Sequence, residues 1–189
     1  MNVPAHYVST IRSLIRFAAV LTCIGLLSGL VLREAGRMLP ASLPLAPGER
    51  VAALLSANLS HGHIFSLGVF VPAALIVFMV AAKLCGARDI RERSLQISLA
   101  MYRVGVVAAL LLQLYKGLHT EILVSRASKQ DDFAGLTSQE MLAVDAALFL
   151  GNKWLRMGLY GVSHLLLGSG LSMWMVSLAR SLNQPSKQE

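Results

Sequence analysis

The chain has 189 residues, of which 55% are apolar and 14% charged, with a net charge of +7. A soluble domain carries about 25% charged residues, so this composition excludes an ordinary soluble protein, and with it the nucleic-acid role that the positive charge would suggest in one. Cys23 and Cys85 belong to no CxxC-type pattern, which excludes a zinc module or disulfide framework and leaves two small buried hydrophobes.

The charges gather into short blocks, and the runs between them are long enough to span a hydrocarbon core of ~30 Å, which takes ~20 helical residues. The expected fold is all-α: an integral membrane four-helix bundle in a single domain covering 1–189. The first apolar run, from about Leu14 to Leu32, lies between Arg12/Arg16 and Arg33/Glu34. It is too long for a signal peptide and lacks an A-x-A site, so it reads as a retained helix over about 12–34. Pro40, Pro44 and Pro47 break the chain before a second helix over about 49–85, whose lipid-depth part starts near His61. Gly86 and the charged run from Arg88 to Arg93 make a tight turn into a third helix over about 95–124.

The connection to the fourth helix is long. Residues 129–135 read as loop, and Thr137-Ser138-Gln139-Glu140 has the spacing of a capping box. A short interfacial amphipathic helix through Met141, Leu142, Val144 and Leu148 follows, stopped by Gly151. The fourth helix covers about 153–180. Basic residues are most lopsided in the short loop between helices two and three, and Arg12, Arg16 and Arg180 fall on the same side. Positive-inside logic places both termini in the cytoplasm.

Ionisable groups at membrane depth are costly and usually face the bundle interior or a cavity. Four histidines qualify: His61, His63, His119 and His164. His164 has Gly161 and Gly168 on its own helical face, which leaves a flat recess where a planar macrocycle could rest while the imidazole reaches its iron. The plainer explanation is helix packing by small residues, which are enriched at membrane helix interfaces. His61 and His63 are two apart and point to nearly opposite faces. The His61 face carries Phe65, Gly68 and Pro72, a second glycine recess with an aromatic wall, and a histidine from each of two facing helices can build a haem site in a bundle core. Arg33 and Lys116 end helices at the same level, where they could meet haem propionates or serve as ordinary interfacial anchors. The competing metal reading gathers His61, His63 and His119 around copper or zinc. His119 alone reads as an interfacial residue, and His6, in the N-terminal tail, suggests no role.

Two resemblances follow from these residues. The whole chain resembles a family of small bacterial four-helix membrane proteins of unknown function. That likeness rests on Gly29-Leu30-Val31-Leu32-Arg33-Glu34, His61-Gly62-His63 and the segment from Gly161 to Gly168, and it implies the bacterial inner membrane. More distantly, His61-Gly62 with Pro72 and Ala73-Ala74-Leu75-Ile76, and His164 with Gly170, resemble the two helices of the haem-copper oxidase catalytic subunit that supply the axial ligands of its low-spin haem. The resemblance implies haem b held by His61 and His164. The oxidase has about twelve helices and a three-histidine copper site, for which this chain has no matching set. It therefore implies one haem-binding module for electron transfer or redox sensing rather than a complete oxidase, in a homo-oligomer of which a trimer would restore the helix number. The redox donor and acceptor are not encoded in any motif. The alternative of another class is a non-haem transporter subunit or assembly factor whose glycines pack helices. A third keeps the haem but opens one axial bond to gas.

Overall fold

The computed structural model describes residues 3–38, 55, 58–127 and 137–183, and the description below is of these. Among them every regular element is helical: α1 (Ala5–Met38), α2 (Asn58–Leu84), α3 (Glu92–Ala127), α4 (Ser138–Ala146) and α5 (Lys153–Leu182). Four of them, α1, α2, α3 and α5, are long and apolar enough to cross a membrane. The expected all-α membrane bundle is the observed fold. The long helices outrun the apolar runs that announce them, because a helix continues past the hydrocarbon edge wherever its polar ends meet headgroups and water. The expected start of the second helix near Glu49 and the loop at 129–135 lie outside the described residues.

Large apolar side chains such as Leu27, Leu30, Val77, Leu111 and Leu165 are exposed along the spans. In water such a surface would aggregate. Facing lipid it needs no cover. Cys23 and Cys85 are exposed too, against the expectation of burial, for the same reason: a thiol-bearing apolar side chain has nothing to escape from in hydrocarbon.

Two backbone approaches hold the bundle. A Cβ on Gly170 would lie 2.6 Å from the Tyr102 amide nitrogen and 2.7 Å from the Ser98 carbonyl oxygen, and one on Gly105 would collide with the Leu167 backbone. These two glycines let α3 and α5 pack main chain to main chain, the most extensive pairing in the fold. On the other side, α1 meets α2 through Gly25 and Gly29. Between the pairs lie Leu14, Leu75, Met79, Leu95, Leu99, Trp174 and Leu178, all buried.

α2 carries an irregularity at Ser66–Phe70, where it widens into a π turn. Pro72 explains it. Its ring cannot tolerate a tight preceding turn and it has no N–H to donate. The Val71 N–H bonds back to the Ser66 carbonyl, so the Leu67 carbonyl is left without a backbone donor. The Tyr102 hydroxyl, from α3, donates to that carbonyl.

The turn from α2 to α3 is a Schellman motif. The Gly86 N–H reaches the Lys83 carbonyl at 3.1 Å, the Ala87 N–H reaches Ala82 at 3.0 Å, and Gly86 takes the left-handed φ of 75°. The start of α1 clamps it. The Ile90 N–H donates to the Tyr7 hydroxyl at 2.9 Å, and His6 Nε2 donates to the Ile90 carbonyl at 3.1 Å. His6, silent in the sequence, is thus a structural anchor.

The short helix forms where the capping-box spacing predicts, directly after Thr137. It does not run on to Gly151. It ends at Ala146, and Phe149, Leu150 and Gly151 follow with φ of 55°, 58° and 76°. L-residues in that left-handed region cost roughly 1–2 kcal/mol each. Asn152 then caps α5, its side chain accepting from the Leu155 N–H at 2.9 Å.

Candidate functional site

His164 lies ~16 Å along α5 from Lys153 at 1.5 Å per residue, well inside the span, and its side chain is exposed on the outer face of the helix. Its Nδ1 is 2.8 Å from the Tyr160 carbonyl one turn back. A carbonyl only accepts, so Nδ1 carries the proton and the Nε2 lone pair is left for a ligand. This is the tautomer that metal-binding histidines adopt, fixed by a backbone carbonyl. Gly161 and Gly168 flank it, and a Cβ at either would meet nothing within 4 Å. The space beside both positions is open. Among the described residues nothing packs closely enough on those two positions to require glycine.

His61 is half-buried between α2 and α1. Its Nδ1 donates to the Gly25 carbonyl at 2.9 Å, an oxygen that also accepts from Ser28 Oγ at 2.9 Å. Its ring lies over Gly29, where a Cβ would come within 2.9 Å of Cε1, and Phe65 stands edge-on to it at 5.0 Å. The aromatic wall is therefore as expected. The glycines that receive the imidazole are Gly25 and Gly29 of α1. Gly68 is not the expected recess: it is buried under Leu21, whose Cδ1 would lie 2.5 Å from an added Cβ. A membrane helix pair closes over any gap that a leucine from the neighbour can reach.

The helix register sets the relative depth of the two imidazoles. Gly105 meets Leu167, Gly170 meets Tyr102, and the Tyr160 hydroxyl donates to the Leu112 carbonyl at 3.3 Å. Each step along α3 is matched by one step back along α5, which puts His164 level with about Ala108. The Tyr102–Leu67 bond puts His61 at that same level of α3. The two histidines share a level, within about a turn, but they use different faces of one chain. His61 packs on α1, whereas His164 is turned outward from α5.

The remaining expected residues separate. His63 is exposed and bonds its own helix, Nδ1 to the Leu59 carbonyl at 2.7 Å. Lys116 is engaged by Asp145 at 2.7 Å, an aspartate that Arg156 also reaches at 3.4 Å. The Lys116 ammonium is thus shared with a carboxylate of the α3–α5 connection. Arg33 lies in the last turns of α1, with its side chain outside the described residues. His119 lies beside Tyr115, with ring centroids 5.8 Å apart, and its Nε2 is buried without a hydrogen-bond partner. Among the described residues no three His, Cys, Asp or Glu side chains converge, so His61, His63 and His119 do not form the copper or zinc site considered for them.

Arg103 is absent from the motifs yet is a costly side chain to place in the bundle. It sits inside the α3 span, its guanidinium 5.7 Å from the Phe17 ring centre, and both Nε and one terminal nitrogen are buried without an acceptor. A single arginine within an apolar run was the available signal. No family model, curated protein or solved structure matches the chain.

Proposed function

We propose that this chain is a haem b protein of the bacterial inner membrane, with both termini in the cytoplasm, serving electron transfer or redox sensing. The observation that carries the reading is His164: an imidazole inside a membrane span, turned outward, its Nδ1 held by the Tyr160 carbonyl and its Nε2 directed away, between two glycines that leave space. An exposed polar ring at that depth is costly in lipid, and a macrocycle seated over Gly161 and Gly168 would both cover it and use its free nitrogen.

Haem, when bound, would supply a one-electron centre, and two imidazoles holding it would suit it to electron passage rather than oxygen binding. The chain's part is to hold the imidazoles. The Tyr160 carbonyl fixes the tautomer and plane of His164, and the Gly25 carbonyl does so for His61. Phe65 walls the His61 ring against sideways motion. Because His61 and His164 are level but on different faces, the haem would be held between neighbouring copies, by His164 of one and His61 of the next. Such a head-to-tail contact closes into a ring, and a trimer has twelve helices.

Protein expressed with ample haem and purified in mild detergent should show the reduced spectrum of a low-spin haem b, unmoved by carbon monoxide. His164→Ala should abolish it. Colourless wild-type protein of native helicity would end the reading. The second reading, a transporter subunit or assembly factor, draws on Gly105 and Gly170, which do pack helices. It predicts no colour in any variant.

A further inference from the structure

At the end of the bundle that carries the α2–α3 turn, a cavity of about 430 Å³ lies between the turn, the first turn of α3 and the last of α5. Three arginines line it, Arg88, Arg91 and Arg180, together with the hydroxyls of Ser94, Ser177 and Ser181. Its frame is fixed. The Arg88 N–H donates to the Ser181 carbonyl at 3.1 Å, and Ser181 Oγ returns a bond to the Arg88 carbonyl at 2.6 Å. Ser94 and Ser177 join α3 to α5 at 2.9 Å, below the arginines.

Among the described residues, the acidic side chains at this end have partners of their own. Asp89, which also lines the cavity, is held by Lys83 at 2.6 Å, and Glu92 takes a bond from Gln96 at 2.8 Å. Arg91 and Arg180 have no carboxylate partner among the described residues. A topology signal requires only that basic residues be present in the loop. It does not require them to ring a serine-walled hollow braced by two helices.

The geometry points to a binding site for a phosphate group, that of an anionic phospholipid. Guanidinium groups match phosphate oxygens in pairs, and the volume falls within the ~300–1,000 Å³ of small-ligand sites. The lipid source follows from the surroundings: Ile97 and Val176, each one turn or less further into the span than a lining serine, are exposed apolar side chains on the same two helices. They offer a track for acyl chains whose phosphate sits among the arginines. Basic pockets between membrane helices hold lipid headgroups in this way.

The test is thermal unfolding of the full chain in neutral detergent with dioleoyl-phosphatidylglycerol, dioleoyl-phosphatidylcholine or inorganic phosphate added. Phosphatidylglycerol should raise Tm saturably, and the other two should not. The Arg91→Gln/Arg180→Gln double variant should bind phosphatidylglycerol roughly twenty-five-fold more weakly, at about five-fold per arginine. Both side chains are exposed, so its Tm without lipid should match wild type. Should the double variant unfold early, native mass spectrometry of the wild type decides instead, by retention of phosphatidylglycerol over phosphatidylcholine. Equal response to the two lipids, or an undiminished response in the variant, overturns the site. A shift produced by inorganic phosphate alone overturns the lipid source.

Discussion

Arg103 lies ~16 Å along α3 from Glu92 at 1.5 Å per residue, and its guanidinium packs over the Phe17 ring. A cation–π contact is worth about 0.5–2 kcal/mol, while a buried donor without an acceptor costs about 1–3 kcal/mol, and Arg103 has two such nitrogens. The residue therefore works against the fold of the isolated chain. Arg103→Met should raise Tm in detergent, by the equivalent of roughly 1–3 kcal/mol. A lower Tm would mean that the guanidinium is already compensated. At the same scale, the histidines were legible because a polar ring in an apolar run stands out. What each ring touches was not. His61 turned to Gly25 and Gly29 because its partner helix is set by bundle geometry, which no local pattern encodes.

Helix packing divides the glycines into two classes that look alike in sequence. Gly105 and Gly170 are places where another backbone passes, and Gly105→Ala or Gly170→Ala should cost roughly 1–3 kcal/mol through overpacking, read as a lowered Tm. Gly161→Ala and Gly168→Ala have free space before them and should leave Tm within a degree or two of wild type. Early unfolding of the second pair would show that their face is already occupied by protein. Gly168→Leu extends the contrast: it should keep the fold and lose the haem spectrum. The four spans were legible at this scale from apolar length alone. The π turn was foreshadowed by Pro72, but only the Tyr102 hydroxyl reveals what the widened turn provides, an acceptor bonded from a second helix.

For the whole molecule, four helices gather two tight pairs, α1 with α2 and α3 with α5, around a core of leucine, methionine and tryptophan. The two level histidines lie on opposite pairs, which sets a genetic test of assembly. His61→Ala and His164→Ala should each be colourless when expressed alone. Co-expressed in equal amounts, they should regain part of the spectrum, because one interface in a mixed ring combines an intact His61 with an intact His164. Absence of recovery, with mixed oligomers present, would rule out a haem held between copies. The membrane fold could be read from composition. The placement of the two imidazoles could not, since it depends on which helix face turns outward, and no local pattern encodes that.

The left-handed turn at Phe149–Leu150–Gly151 has a bearing on depth. It leaves the Leu150 side chain fully exposed and is followed by Trp154 at 80% exposure, and indole rings favour the boundary between headgroups and hydrocarbon. Together they mark a waterline on the bundle. From that line the backbone of α5 runs down without a break, so the same short stretch that costs conformational energy at the surface fixes how far beneath it the His164 ring hangs.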